Sequence, residues 1–155
     1  MTASTIWFDA AHTHAAAGVF LLTPDGRIIL QLRDDIPGID NPGKITSFGG
    51  AAEPGETPVE CALRELSEET GVKVEPDALR YLDAVSKLDF RGNPTACIFF
   101  TLAGIEPASL AVTEGAAIVL SPEEVARHPR TTPACKRLVA MIRFSPPPRN
   151  SSPSP

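Results

Sequence analysis

Apolar positions along the chain follow two periods. Residues 15–22 form a continuous apolar run that reads as a buried strand, and 27–33 reads as a second strand. Between them lies Thr23-Pro24-Asp25-Gly26, where proline presets φ and glycine tolerates φ > 0, so the pair predicts a β-hairpin. A Pro-, Gly- and Asp-rich loop over 34–43 leads to a short strand predicted at 44–48, which Gly49-Gly50 is expected to end. Glu53-Pro54-Gly55-Glu56 has the residues of a type II turn.

The period then changes to that of a helix. Val59, Ala62, Leu63 and Leu66 recur on one face and are expected to pack on a sheet. Thr57 is placed as N-cap, Pro58 suits the first helical position, Glu60 completes a Thr-x-x-Glu capping box, and Gly71 is placed to stop the helix. Strands are predicted over 79–88, 95–103 and 116–120. Ser121 opens a short helix, and a last helix covers 132–144 with Leu138, Val139 and Ile142 toward the core. The order is α+β, with strands on both sides of the central helix. One domain over 1–144 is expected, followed by a Pro/Ser-rich, disordered tail over 145–155.

Composition narrows the partners. The 155 residues carry a formal net charge of −5, which argues against a nucleic-acid polymer or an anionic membrane surface as the main partner. Cys61, Cys97 and Cys135 are odd in number and widely spaced, so neither a disulfide framework nor a zinc site is implied, and burial as small apolar groups is expected. No basic stretch of a secretory signal precedes Arg27 and the early apolar run is too short to span a bilayer, so the expected location is the cytoplasm. His12 and His14 make a lone His-x-His, too few ligands for a metal, and Trp7 is expected to pack rather than stack on a base.

The chemistry concentrates on the central helix. Glu65, Glu68 and Glu69 stand at i, i+3 and i+4 and are expected to cluster on the side away from Val59, Ala62, Leu63 and Leu66. Three such carboxylates repel one another and invite a cation, and hard oxygen donors suit Mg²⁺ or Mn²⁺. By itself a Glu-x-x-Glu-Glu run is usually a solvated acidic face.

Its context changes that reading. Gly50, five residues, Glu56, seven residues, then Arg64-Glu65-Leu66-Ser67-Glu68-Glu69-Thr70-Gly71-Val72 is similar at every defined position to the signature box of the Nudix (MutT-like) hydrolases. The resemblance implies an α/β/α sandwich with a mixed β-sheet and a loop-helix-loop catalytic motif. It implies divalent-metal-dependent hydrolysis of a diphosphate bond in a nucleoside diphosphate-X substrate: a nucleoside triphosphate, an oxidised nucleotide or a nucleotide sugar. Carried onto this chain, it makes Glu65, Glu68 and Glu69 metal ligands, Glu65 and Glu69 the firmest, with Glu68 also the favoured base for the attacking water. Arg64 would orient these acids, Glu56 would brace the loop, and Gly55 and Gly71 would shape the motif. The Gly49 carbonyl and Glu114 are further candidate ligands. Arg33, Lys44 and Gly50 are candidate phosphate contacts. A homodimer is compatible with the family.

Markers of individual substrates are absent. Ser86-Lys87-Leu88-Asp89 lacks the downstream proline of many ADP-ribose pyrophosphatases, and Ile45 occupies the region where many relatives carry tryptophan. The competing expectation is a catalytically silent Nudix domain that senses a nucleotide or binds a protein.

Overall fold

A computed structural model describes residues 14–86 and 95–142. Seven strands form one mixed sheet: β1 (His14–Leu22), β2 (Ile28–Leu32), β3 (Ile45–Thr46), β4 (Phe48–Ala51), β5 (Leu79–Ser86), β6 (Thr95–Gly104) and β7 (Ala116–Leu120). The main order is β3-β2-β1-β6-β5, with β4 also pairing β1 and β7 also pairing β2. β1 and β6 run parallel, and the other pairs are antiparallel. Helix α1 (Pro58–Thr70) covers one face, while α2 (Pro122–Arg127) and α3 (Pro133–Ala140) cover the other. This is the expected α/β/α sandwich.

The continuous apolar runs are explained by these two covered faces. Ala16, Phe20, Leu22, Ile28, Leu30, Ala96, Ile98 and Phe100 point to the α2/α3 side, with Val125, Cys135, Leu138 and Val139. The intervening Ala17, Val19, Leu21, Ile29, Cys97 and Phe99 point to the α1 side, with Cys61, Ala62 and Leu66. Successive strand residues alternate faces, so a strand buried on both must be apolar throughout. All three cysteines are free and buried, as expected, and burial raises their thiols to about 12, 11 and 12 for Cys61, Cys97 and Cys135.

The predicted hairpin, capping box and last strand are present. Thr57 Oγ1 accepts from Glu60 N at 3.1 Å, and Glu60 Oε1 accepts from Thr57 N at 3.1 Å. Glu56 N donates to Glu53 O at 3.1 Å across the turn, with φ of +78° at Gly55. Two expectations need correction. The strand predicted at 44–48 is two short strands separated at Ser47, and Gly49 and Gly50 do not end it but pair inside β4 with Gly18 and Ala17. The final helix stops at Ala140 rather than 144, with Met141 in a turn, although Leu138, Val139 and Ile142 are buried as expected. Trp7, His12, the end of the strand predicted to 88 and the tail at 145–155 lie outside the described residues. Among the described residues, no helix is long and apolar enough to cross a membrane.

Candidate active site

The site begins where β4 meets α1. A β-carbon at position 49 would lie 2.1 Å from Ala17 O, so only glycine lets β4 approach β1 this closely. The same approach brings the β4 backbone against the helix. Gly49 N donates to Glu69 Oε2 at 3.3 Å, and a β-carbon at position 50 would lie 2.6 Å from the Glu65 carboxyl carbon. Gly49 and Gly50 therefore form a surface on which the two helix carboxylates rest.

The expected placing of all three glutamates away from the apolar face is wrong for Glu69. Seven residues at about 100° each return almost to the starting direction, so Glu69 lies two turns above Ala62 and on the same face. Glu69 is 5% exposed. Glu65 is partly covered, its side chain 14% exposed, and Glu68 stands at the solvent rim, its side chain 58% exposed. Burial, followed by the charges of Glu65 and Glu114, raises the Glu69 carboxyl to about 7, although the Gly49 N–H works in the opposite sense.

Arg64 hydrogen-bonds to three of the acids. Its Nε and Nη2 reach the two oxygens of Glu56 at 2.6 and 2.9 Å. Nη1 donates to Glu65 Oε1 at 2.9 Å and Glu68 Oε2 at 3.1 Å, and Nη2 also reaches Ala51 O at 2.9 Å. A guanidinium supplies donors in a fixed planar fork, so one side chain ties the loop, β4 and the helix together.

Glu114 arrives from the far side. The segment before β7 is bonded to the C-terminal end of α1: Ala111 N donates to Thr70 O and Thr113 N to Glu69 O, both at 2.9 Å, and Thr113 Oγ1 donates to Glu68 O at 3.1 Å. Gln31 holds it from the sheet, its Nε2 donating to Glu114 O at 3.1 Å. Gln31 is 1% exposed and also accepts from Arg33 Nη1 at 3.4 Å. Sequence reasoning missed Gln31, because one amide in an apolar strand carries no motif.

A cleft of about 450 Å³ opens beside these groups. Glu65, Glu69, Glu114, Gly49, Gly50 and Arg33 share it, and Phe20, Ile98 and Leu138 form an apolar side. Two sequence candidates stand apart: Glu68 is outside the lining, and Lys44, exposed just before buried Ile45, faces neither this cleft nor the cavity beside it. Among the described residues, no three His, Cys, Asp or Glu side chains are arranged to hold a metal as they stand. The bonds from Arg64 give a reason, since they draw Glu65 and Glu68 onto its own N–H groups. The donor chemistry nevertheless fits a hard divalent cation: the three carboxylates around the cleft supply only oxygens, and burial first, then the charges of Glu65 and Glu114, raises Glu69.

A profile of the NUDIX domain matches residues 12–140. The chain belongs to the NUDIX family. Proteins of this family act on small nucleotide-like substrates and generally use divalent metal ions. The chain is 35% identical over 92 residues to an uncharacterised Nudix hydrolase of Rhodococcus erythropolis, a match covering 56% of this chain and 50% of that protein. It thus spans about half the length of that relative. The NUDIX fold is also shared with a MutT NUDIX hydrolase from Burkholderia pseudomallei, with a TM-score of 0.65 at 21% identity over 85% of this chain and 100% of that one. The MutT protein of Methanosarcina mazei gives a TM-score of 0.63 at 18% identity over 85% and 94% of the two chains.

Proposed function

We propose that the protein hydrolyses a diphosphate bond in a nucleoside diphosphate-X substrate, with Mg²⁺ or Mn²⁺, releasing a nucleoside monophosphate or similar product. The observation that carries this reading is the gathering of Glu65, Glu69 and Glu114 with Arg33 around one cleft. Glu65 and Glu69 would hold the metal, with Glu114 and the Gly49 carbonyl completing the oxygen donors. When bound, the ion neutralises diphosphate charge and lowers the pKa of a water.

The remaining work falls to the chain. Arg33 reaches the cleft and suits a phosphate oxygen through its planar N–H groups. Gly50 carries no side chain between the cleft and Glu65, so phosphate can approach the backbone closely. Arg64 keeps Glu65 and Glu68 in place through its Nη1 and is itself held by Glu56. A carboxylate takes the proton of the attacking water. Glu65 or Glu69, which line the cleft, suits that role better than Glu68, which the sequence favoured but which lies outside the lining with an oxygen held by Arg64.

The test is product analysis by mass over nucleoside triphosphates, nucleotide sugars, ADP-ribose and dinucleoside polyphosphates, comparing wild type with Glu69→Gln. Wild type is expected to cleave one class, and Glu69→Gln to lose on the order of 10²–10³ in kcat, the size of losing one preorganised charge-stabilising group. Nucleotide that binds by calorimetry yet is recovered intact across the whole panel would replace this reading with that of a silent sensor domain.

A further inference from the structure

Gln31 places an amide where a hydrocarbon is expected. It is 1% exposed in β2, directly after the fully buried Ile28, Ile29 and Leu30. Its position in the sheet pairs with Thr46 of β3 on one side and Ala117 of β7 on the other. Ile29 faces the α1 side, so strand alternation sends Gln31 and Arg33 to that same face. Both ends of the amide are used. Nε2 donates to Glu114 O at 3.1 Å, and Oε1 accepts from Arg33 Nη1 at 3.4 Å. A carbonyl only accepts and a guanidinium only donates, so the two partners together fix the orientation of the amide.

Arg33 and Glu114 line the cleft, and Gln31 does not. Each of the two needs support from outside it. Arg33 borders two spaces, the cleft and a second cavity of about 260 Å³ walled by Gln31, Asp34, Ile36 and Ile39. Its guanidinium is held at two points, Nε on Asp40 O at 2.6 Å and Nη1 on Gln31. Glu114 is exposed, and its segment is anchored through the backbone. Thr113 N donates to Glu69 O, and Glu114 O accepts from Gln31. Gly115, with φ of +63°, closes on β2 so tightly that a β-carbon there would lie 2.3 Å from Leu32 O. One buried side chain thus ties the cation of the cleft to the segment that carries its outlying acid.

We infer that Gln31 is a positioning residue, setting the spacing between Arg33 and Glu114 without touching substrate. The inference rests on the reading of the cleft as a diphosphate-hydrolysing site, in which Arg33 takes a phosphate oxygen and Glu114 faces the metal. An amide is required at this position. A carboxylate would turn an oxygen onto Glu114 O, and a hydrocarbon would remove the bond from both partners. Bound metal and diphosphate draw the two groups into place at saturation. The loss of Gln31 therefore shows in the half-saturation values for metal and substrate, both together, more than in kcat.

Gln31→Met keeps the length of the side chain and removes both bonds. It is compared with wild type and with Val125→Ala, a core variant outside both cavities. Mn²⁺ binding to the metal-free chain is read by electron paramagnetic resonance. Kinetics use the member of the substrate panel that wild type cleaves, with Mg²⁺ titrated. Gln31→Met is expected to weaken Mn²⁺ binding about tenfold and to raise KM and half-saturating Mg²⁺ about tenfold each, the size of one lost hydrogen bond. Its kcat stays within about threefold. Val125→Ala is expected to lower Tm and leave these constants alone, which is how a residue that only packs would behave. Wild-type constants in Gln31→Met, or a rise for metal or substrate alone, overturn the inference. Should Gln31→Met fail to fold, the side-chain amide signal of Gln31 in wild-type nuclear magnetic resonance spectra decides. It is expected to shift when Mg²⁺ is added, and a signal that stays while those of Glu65 and Glu69 move overturns the inference. Absence of turnover by wild type across the panel removes the reading beneath, and this inference with it.

Discussion

Glu56 holds Arg64 from outside the cleft lining. Its side chain is 10% exposed and takes two bonds from Arg64. The Arg64 hydrogen bond, opposed by burial, holds its carboxyl at about 2, against an ordinary value of 4.5. The folded pKa is depressed, so the stabilisation is complete above pH 4.5 and is lost as pH falls toward 2. Acid unfolding of the metal-free chain, followed by circular dichroism, is therefore expected to steepen in that window. Glu56→Gln is expected to cost about 1–3 kcal/mol at neutral pH and to flatten this slope. An unchanged slope would remove Glu56 from its bracing role. Glu56, Arg64 and the helix acids were legible because their spacing forms a motif. Gln31 was not, because its importance lies in a partner brought from far along the chain: the carbonyl of Glu114, just before the last strand.

Among the elements, α1 was the most legible and β4 the least. A helix announces its ends locally, through Thr57, Pro58, Glu60 and Gly71. Gly71 adopts φ of +73° and sends its N–H to Ser67 O, a conformation that costs an L-residue about 1–2 kcal/mol. Gly71→Ala is thus expected to lower stability by about 1 kcal/mol or slightly more in urea unfolding with an unchanged m-value. A loss below a few tenths would mean that the cap is not under conformational demand. The β4 strand gives no such local signal. Phe48-Gly49-Gly50-Ala51 has the composition of a turn, and it is a strand only because β1 offers a partner that tolerates contact at the backbone. The error over Glu69 has the opposite character, since its burial beside the Ala62 face follows from helix geometry once the angle is carried through two turns.

For the whole molecule, the proposed metal site would couple metal binding to folding, because Glu69 is buried where the sheet presses β4 against α1. An ion that binds only the folded chain at 100 times its Kd adds about 2.7 kcal/mol. At about 2–4 °C per kcal/mol for a domain of this size, saturating Mg²⁺ or Mn²⁺ is expected to raise Tm by about 5–10 °C. EDTA should reverse the rise, and Glu69→Gln should lose most of it. Equal Tm values with and without metal would deny these acids the role of ligands. The sequence alone determined the class of fold, the helix and its caps, the box from Gly50 to Val72, and the identity of the acids, because these are written in local spacing and periodicity. Only the tertiary structure decided that Glu68 and Lys44 stand off the cleft, and that Gln31 links Arg33 to Glu114. It likewise decided that a second cavity opens beside Ile36. Each of these depends on which distant segments the sheet sets side by side, and a one-dimensional pattern carries no record of that distance.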